Sequence, residues 1–517
     1  MCERENVFIV SDKLLDWEAV QEQEKVRIQI GNFEDFLRKY EKESFNLLIF
    51  HGDGFSIQET FQKNAKNPSF IRFLQDTSLK KAAWTLDSHH EWQVEVQLEK
   101  YFDTYYVAHA NYLDKFPAGK AKWLPCALLF DATRREGIAY SAQETKKTTD
   151  VVMVYRSYLG IGDRNAAVWE CWKILQRKGY KVRLMQTDQH GRENSMNRYY
   201  QALLSGRVIL NLSIMDDLNM RNFEALMLNQ VMVTNRVPDH EKIGLDYSNV
   251  VFFDKFDERS FCEAIEQGMK MSEGNVKQTA GPVLNHDTYL HRFVTMINDQ
   301  LGLDLKVRNL DIDKEIERAG TLPVQEFEPS AEHGDVVYGE MELGLKAMNT
   351  YLGMGQPAKS LKIMLDFLRK YAKPEDWQGR FSDLFITAQQ CAGVCQRVDS
   401  LEGELLLQTL LEAIHRSMGA GIDAGQFGNL LNSLPQFTDL PHTSLKRLEK
   451  SLSQGLQSLS GNLAGQGRLE QAVQCLEKAA ELDVSQREQC YLQLAETYRK
   501  SGQSEKAMES YQRLLKI

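Results

Sequence analysis

Several features that would place a chain in a membrane or in a secretory compartment are missing from this sequence. No stretch approaches the roughly 20 consecutive apolar residues that a helix needs to cross a bilayer. The amino terminus, MCERENVFIVSD, has charges where a signal peptide needs an apolar core. We therefore expect a cytoplasmic protein without a transmembrane segment.

Paired metal ligands and paired cysteines are also missing. The eight cysteines are scattered through the chain, at Cys2, Cys126, Cys171, Cys262, Cys391, Cys395, Cys475 and Cys490. None forms a CxxC pair, and the eleven histidines contain no HExxH or comparable ligand spacing. Buried thiols are therefore expected rather than disulfides, and no structural metal is predicted.

A basic surface and a dinucleotide fingerprint are absent as well. The net charge is −10 with both signs mixed along the chain, so no nucleic-acid partner is predicted. No GxGxxG motif follows a predicted strand, which disfavours a dehydrogenase or another dinucleotide-binding enzyme. Because 517 residues exceed what one hydrophobic core usually holds, we expect several domains.

Strand and helix patterns alternate over residues 1–140 and again over residues 150–310. Strand-like runs such as NVFIVS and KVRIQI alternate with helical runs such as FEDFLRKYEK. This alternation predicts a doubly wound parallel sheet in each region, that is, two Rossmann-like α/β domains. Residues 132–149 are polar and without periodicity, and we predict that they form the linker between the two domains.

Polar residues follow two predicted strands of the first domain. The sequence HGDG occupies 51–54, and Asp87, Ser88 and His89 follow the strand pattern of KAAWTL. Ligands of parallel sheets bind at the carboxyl ends of the strands, and neighbouring Asp and His side chains can supply a general base. We predict Asp87 and His89 as catalytic residues. The alternative is structural: the glycines would form a tight turn, and Asp87 or Ser88 would cap the next helix.

The second domain opens with a strand that runs into Gly160 and Gly162, followed by a helix predicted from Arg164. Glycine after a first strand lets the backbone approach a pyrophosphate closely, and Arg156 or Arg164 could neutralise its charge. A plain βα turn with a surface arginine is the structural alternative.

The stretch Val208–Asn235 predicts a buried strand, an amphipathic helix and a second buried strand. Three polar residues could cap the helix: Asp216, Asp217 and Asn219. The helix N-terminus together with Arg221 would suit a phosphate, and Glu224 could accept hydrogen bonds from sugar hydroxyls. Ordinary helix capping with a charged first turn is the structural alternative.

Strand patterns end near Asp311, and the remaining residues, 330–517, are predicted to be helical. The sequence GRLEQAVQCLEKAAELD from Gly467 aligns with GQSEKAMESYQRLLKI from Gly502, 35 positions later. This period resembles the tetratricopeptide repeat (TPR), and residues from Tyr351 onward look like a degenerate copy. Such repeats stack and leave a concave binding surface, so we predict an all-α repeat domain.

The string NLSIMDDLNMRNFEAL, residues 211–226, resembles the donor-domain core of the CgeB-like glycosyltransferases, which are related to a spore-maturation protein. These enzymes are a branch of the GT-B superfamily and use nucleotide-sugars. Further matches occur in order along the chain: Trp84, Asp87 and His89, then YFDTYYVAHANYLDKF, then WLP at 123–125, and finally His286, Tyr289 and Arg292.

The resemblance implies two Rossmann-like domains in a GT-B arrangement and a hexosyltransferase-type enzyme. It would move a sugar from a nucleotide-sugar donor to a protein or glycan acceptor without a cofactor or a metal. The repeats could hold the acceptor, and Asp87 or His89 would be the acceptor-side base. The expected donor-binding residues are Arg156, Gly160, Gly162, Arg164, Asn211, Ser213, Asn219, Arg221, Asn222, Phe223 and Glu224.

Two departures from the family pattern leave a second function open. Many retaining enzymes have a second glutamate about eight residues after the first, where this chain has Met232. The glycine usual near this point is replaced by Asn229 and Gln230, although Asn can adopt the left-handed conformation that a helix end needs. The alternative is a non-catalytic sugar-binding or partner-binding scaffold with degenerate transferase domains and a TPR interaction surface.

Overall fold

The structure is a computed structural model. It describes residues 4–12, 16–130, 132–142, 146–155, 162–186, 192–215, 217–319, 336–337, 340–356 and 467–515, with scattered positions between 358 and 465. The chain divides into two compact units. The first contains 1–157 and 170–338, and the second contains 158–169 and 339–517.

The first α/β domain is built on a parallel sheet. Its strands are β1 (Glu5–Val10), β2 (Val20–Gln21), β3 (Val26–Gly31), β4 (Leu47–Gly52), β5 (Lys80–Thr85), β6 (Thr104–Val107) and β7 (Ala121–Trp123). Six of them pair in the order β3-β1-β4-β5-β6-β7, and every pair is parallel. The run Leu47–Phe50 in β4 is buried throughout, as a strand covered on both faces requires.

The helices of this domain include α1 (Phe33–Tyr40), α2 (Gly54–Asn64), α3 (Pro68–Gln75) and α4 (Ser88–Leu98). The α1 helix begins where the Asn32 side chain accepts a hydrogen bond from the Asp35 amide at 2.8 Å. It then buries Phe33, Phe36 and Leu37 against the sheet. The capping residue Asn32 therefore sets the start of the helix, and the spacing of its apolar residues sets the buried face.

The predicted linker at 132–149 is wrong in its first half, because residues Ala132–Ser141 form helix α5. Ile138, Ala139 and Tyr140 of this helix are buried. The glutamate Glu315 is also buried and pairs with Arg135 of α5. These three buried residues are consecutive rather than spaced three or four apart, and charged residues precede and follow them. This explains why no helical periodicity is visible in the sequence.

The second α/β domain contains the strands β8 (Thr149–Tyr155), β9 (Val182–Gln186), β10 (Gly206–Asn211), β11 (Met232–Asn235) and β12 (Val250–Phe253). They pair in parallel in the order β12-β11-β10-β8-β9. Further on are β13 (Lys306–Val307), which pairs with β2, and β14 (Val336–Val337). Because β14 adds an antiparallel edge to β9, the expectation that strands end near Asp311 is wrong at this point.

The helices of the second domain are α6 (Arg164–Arg177), α7 (Arg192–Leu204), α8 (Arg221–Met227), α9 (His240–Ile243), α10 (Glu258–Glu273), α11 (Ala280–His286), α12 (Tyr289–Leu301) and α13 (Ile312–Ala319). The α12 helix packs on the first domain, where Asp299 contacts Lys122 at 2.6 Å and accepts a hydrogen bond from Tyr106. The predicted fold class, two Rossmann-like domains with parallel sheets, is confirmed.

The predicted cap of α8 is not formed as expected. Met220 occupies the N-cap position, and no side chain caps the helix. Asp217 instead accepts a hydrogen bond from the Ile214 amide at 2.6 Å, and Asn219 is bound to Asn211. Asp216 lies outside the described residues. The side chains expected to cap the helix therefore shape the loop before it.

The helices described in the second unit are α14 (Glu340–Gly353), α15 (Leu469–Leu482), α16 (Arg487–Lys500) and α17 (Ser504–Leu514). Ala472 and Ala507, which the sequence alignment pairs, are both buried. Gly467 and Gly502 share positive φ angles of 78° and 75°, so the repeat is also visible in the backbone. In the described part of the chain, no helix is long and apolar enough to cross a membrane.

Candidate functional site

The strand order of the second sheet creates a crevice beside β10. The sheet reverses its direction of growth between β8 and β10, and ligands of open α/β sheets bind at such a reversal, beyond the carboxyl ends of the strands. Asn211 is the last residue of β10, and Asn235 is the last residue of β11. The predicted donor-binding stretch is therefore at the edge of the sheet where a ligand is expected.

Asn211, Ser213 and Asn219 form a hydrogen-bonded network at this edge. The Asn211 amide donates to Thr234 Oγ1 at 3.0 Å, and the Asn219 amide donates to Asn211 Oδ1 at 3.1 Å. The Ser213 backbone N–H donates to Asn235 Oδ1 at 2.8 Å. Since these polar atoms bind one another or side chains of β11, their first effect is to fix the shape of the loop.

Asn222 and Phe223 fix α8 to the rest of the second domain. Asn222 Oδ1 accepts a hydrogen bond from His240 Nε2 at 3.0 Å, and His240 Nδ1 accepts one from the Val237 amide at 3.1 Å. Burial lowers the pKa of His240 to about 4, so its ring is neutral with the proton on Nε2. Phe223 is fully buried in the core, where it positions the helix.

Arg221 and Glu224 are joined through Tyr199, a residue of α7. Arg221 Nε donates to the Tyr199 hydroxyl at 2.9 Å, and that hydroxyl donates to Glu224 Oε2. The guanidinium lies over the Tyr199 ring, 5.4 Å from its centroid. The Arg221 side chain is 12% exposed and that of Glu224 is 7% exposed, so Arg221 is slightly the more accessible of the two.

The glycine-rich turn after β8 is described only in part. Arg156 and Gly160 lie outside the described residues, whereas Gly162 has a φ of 62°, a conformation that favours glycine. Arg164 is buried at the start of α6, next to Asn165, whose side chain donates to Thr350 Oγ1 at 3.2 Å. Gly162 and Arg164 therefore belong to the segment that packs with the helical unit.

In the first domain, the two predicted catalytic residues lie at the end of β5. Asp87 occupies the N-cap position of α4 without a side-chain cap, and His89 is buried in the first turn. At the neighbouring strand end, Asp53 caps α2 by accepting from the Ser56 amide at 2.7 Å. The structural alternative therefore describes the HGDG turn well, whereas Asp87 is not needed as a capping side chain.

The resembling motifs of the first domain contact one another. The fully buried Trp84 donates from Nε1 to the Leu124 carbonyl at 2.9 Å. Arg292 donates from Nε to the Pro125 carbonyl at 3.0 Å and pairs with Asp287 at 2.7 Å. These residues hold the end of β5 against the segment that leads into the second domain, so their role is to position the site.

His109, at the end of β6, joins the two domains and was not predicted. It lies 3.8 Å from Asp239, whose Oδ1 accepts a hydrogen bond from the Ala110 amide at 3.1 Å. Burial lowers the pKa of His109, but the contact with Asp239 and the charge of Asp217 outweigh it, so the pKa is raised overall. His89, His109 and Asp217 bring possible metal-binding atoms within 4.8 Å of one another. The signal in the sequence was a histidine two positions after the strand TYYV.

Two glutamates of α4 add buried carboxyl groups beside this site. Burial raises the pKa of Glu91 and of Glu95 to about 7. Glu91 accepts a hydrogen bond from the Phe55 amide at 3.1 Å and so contacts the first turn of α2. The carboxyl edge of the first sheet is therefore rich in groups that titrate near neutral pH.

The expectation of free thiols is confirmed for the described cysteines, since Cys126, Cys171, Cys475 and Cys490 are buried and unpaired and Cys262 is half-buried. Cys2, Cys391 and Cys395 lie outside the described residues. Cys126 Sγ donates to the Leu218 carbonyl at 2.7 Å and gives a further contact between the two domains.

Comparison with protein families matches two parts of the chain. Residues 168–298 match the family model described as glycosyl transferase-like. Residues 456–483 and 488–517 match the tetratricopeptide repeat. The first match contains the whole of Val208–Asn235 together with Tyr199, and the second contains α15, α16 and α17. No curated protein matches the chain.

Among solved structures, the chain is similar to sucrose-phosphate synthase from Thermosynechococcus elongatus, with 10% identity, a TM-score of 0.38, and coverage of 58% of this chain and 99% of that one. The catalytic domain of starch synthase IV from Arabidopsis thaliana, bound to ADP and acarbose, has 10% identity and a TM-score of 0.33, with coverage of 56% and 79%. Anabaena HepE in complex with UDP has 8% identity and a TM-score of 0.34, with coverage of 61% and 98%.

Proposed function

We propose that the protein is a glycosyltransferase that moves a sugar from a nucleotide-sugar donor to a protein or glycan acceptor. The observation that supports this most is the glycosyl transferase-like match over residues 168–298, which contains the Arg221–Tyr199–Glu224 group. The donor would bind beyond the ends of β8 and β10, where the sheet reverses.

In this proposal, Arg221 stabilises the negative charge that develops on the leaving diphosphate. Its contact with Tyr199 uses Nε, so the terminal amino groups can point towards a phosphate, for which the planar guanidinium is suited. The α8 helix has only seven residues, so its dipole would add little to the arginine. The proposed transfer takes place without a metal on the diphosphate and without a cofactor.

The acceptor is proposed to approach from the first domain, at the end of β5. Asp87 and His89 are the candidates for the base that removes the proton from the acceptor hydroxyl. Asp87 is the more accessible of the two, because it is exposed, whereas His89 is buried. A carboxylate in this position would act directly on the hydroxyl, with His89 fixed behind it.

Donor binding is tested by titrating the full chain with UDP, ADP and a panel of nucleotide-sugars while following thermal stability and donor hydrolysis. We expect at least one donor to stabilise the protein, and Arg221→Gln to weaken its binding about 10- to 100-fold, as for the loss of one charge-assisted hydrogen bond. Arg259→Gln is the matched control, because Arg259 is an exposed arginine on α10.

Three outcomes separate the enzyme from the non-catalytic scaffold. Donor binding with turnover supports the transferase. Binding without turnover of any donor or acceptor favours the sugar-binding scaffold. If no donor binds, and Glu224→Ala does not change glycosylation in cells, the glycosyltransferase proposal is wrong.

The tetratricopeptide repeats are proposed to hold a protein or glycan acceptor. Leu492 on α16 and Met508 on α17 are exposed apolar side chains in the repeats. Replacing both with Glu should impair transfer to the natural acceptor but leave donor hydrolysis unchanged. Equal loss of both activities would contradict a role in acceptor binding.

A further inference from the structure

His109 has one ring nitrogen in a defined hydrogen bond and one without. Nε2 lies 2.8 Å from the Leu86 carbonyl oxygen, which can only accept, so Nε2 carries a proton. His89 Nδ1 approaches the same Nε2 at 3.4 Å, the outer limit of a hydrogen bond. The Leu86 contact therefore fixes the tautomer and leaves the lone pair of a neutral ring on Nδ1.

That Nδ1 faces a carboxylate oxygen of Asp239 across the domain boundary. The two atoms are 3.8 Å apart, which is too long for a hydrogen bond, and neither has a hydrogen-bond partner in the described part of the chain. His109 and Asp239 are 2% and 1% exposed, so water does not solvate them from outside. Two buried acceptors that face each other repel unless a positive charge lies between them.

Asp217 and His89 bring further donor atoms to the same place. The possible ligand atoms of His89, His109 and Asp217 lie within 4.8 Å of one another, and all three residues are buried. One oxygen of Asp217 accepts a hydrogen bond from the Ile214 amide at 2.6 Å, and one oxygen of Asp239 accepts from the Ala110 amide at 3.1 Å. Each carboxylate is therefore oriented by the backbone through one oxygen.

The charge of the group also matches a divalent cation. Asp217 and Asp239 are buried carboxylates, and a cation beside them stabilises buried negative charge.

We propose that His89, His109, Asp217 and Asp239 bind a divalent transition-metal ion of the zinc type. Imidazole nitrogens with carboxylate oxygens suit Zn²⁺, and a metal-binding histidine usually donates its other N–H to a carbonyl, as His109 does to Leu86. His89 and His109 come from the first domain, whereas Asp217 and Asp239 come from the second. The ion would tie the two domains together, and no spacing of histidines along the chain predicts such a site.

Four protein ligands are typical of a structural zinc site rather than a catalytic one. The ion therefore leaves the diphosphate to Arg221, and with His89 as a ligand the role of acceptor-side base falls to Asp87. The metal site itself does not depend on the proposed glycosyl transfer, because ion binding is measured without donor or acceptor.

The test is metal analysis of the full chain, followed by Zn²⁺ titration after treatment with a chelator. We expect about one ion per chain, a lower Tm after chelation, and recovery of the Tm with Zn²⁺. Co²⁺ in place of Zn²⁺ should give the visible absorption of a four-coordinate ion. Asp217→Asn keeps the oxygen that accepts from Ile214, so it should remove the ion without disturbing that turn.

His291→Ala is the matched control, because His291 is a half-buried histidine of the second domain outside this group, and its Nδ1 has a partner in Thr288 Oγ1. It should retain the ion, whereas His109→Gln should lose it. If the wild type and Asp217→Asn bind Zn²⁺ equally, or if Zn²⁺ does not change the Tm of the wild type, the metal site is refuted. A proton on His109 Nδ1 then accounts for the contact with Asp239. Donor binding that persists after chelation leaves the proposed function intact whatever the metal result.

Discussion

The hydroxyl of Tyr199 gives the sharpest test of the proposed donor site, because it links two of its residues. It accepts a hydrogen bond from Arg221 Nε at 2.9 Å and donates one to Glu224. Tyr199→Phe keeps the ring and its packing but removes both hydrogen bonds. A hydrogen bond to a charged group contributes about 1.5–3 kcal/mol, and the variant also leaves a buried carboxylate without its donor. Arg221 is 3.9 Å from Glu224 and can move to pair with it directly, which offsets part of the loss. We expect a net destabilisation of about 2 kcal/mol.

The assay is thermal unfolding of the full chain, in which about 2 kcal/mol corresponds to a fall in Tm of several degrees. Tyr247→Phe is the matched control, because the Tyr247 hydroxyl is buried and has no hydrogen-bond partner among the described residues. It should leave the Tm nearly unchanged. If the two variants have equal Tm values, the Tyr199 hydroxyl does not hold Arg221 and Glu224 together. The variant should also bind a nucleotide-sugar more weakly, since Arg221 is then drawn towards Glu224.

Two further predictions concern stability. Asn229 has a φ of 52°, and its side chain accepts hydrogen bonds from the Thr279 and Ala280 amides at 2.7 and 3.0 Å. Asn229→Ala should therefore lower the free energy of unfolding by about 2 kcal/mol, measured by calorimetry. Asn229→Gly should lower it less, because glycine relieves the backbone strain but still lacks the two hydrogen bonds. For Glu95, burial raises the folded-state pKa from 4.5 to about 7, so its contribution to stability is present below pH 4.5 and is lost as the pH rises through 7. Glu95→Gln should therefore increase the free energy of unfolding at pH 8 by up to about 3 kcal/mol, and raise the Tm accordingly. At pH 4.5 it should change neither. The exposed Glu59→Gln should do neither, and equal shifts at both pH values would contradict the titration of Glu95.

The sequence predicted the parallel strands of both sheets, because strands covered on two faces are continuous apolar runs such as Leu47–Phe50. It did not predict the antiparallel edge strand β14. It missed α5, whose buried face is Ile138, Ala139 and Tyr140 among charged residues. It also identified Asn229 as a left-handed residue at a helix end, which the φ of 52° confirms. The second use of Asn229, as a cap for α11, depends on a contact across 50 residues that no local pattern encodes.

In the candidate site too, the sequence predicted residues that are neighbours along the chain and missed contacts between distant segments. Arg221 and Glu224 were found because they are neighbours on one helical turn, and Asp87 and His89 because they follow a strand. Tyr199 was not assigned to the site because it belongs to a different helix, and its hydroxyl meets Glu224 only after the chain has folded. The pairing of His109 with Asp239 is similar, since 129 residues separate Ala110 from the carboxylate that its amide contacts.

The amide network around β10 limits what can recognise a donor at this edge of the sheet. Asn211, Ser213 and Asn219 hydrogen-bond to one another or to β11, so rearranging them for a ligand would break buried hydrogen bonds at about 1 kcal/mol or more each. A ligand therefore gains most from groups that need no rearrangement, namely the partly exposed guanidinium of Arg221 and the backbone of a loop already held in shape. In the proposed transferase, such a site would suit a charged diphosphate bound by the arginine, and selection between sugars would have to come from other contacts.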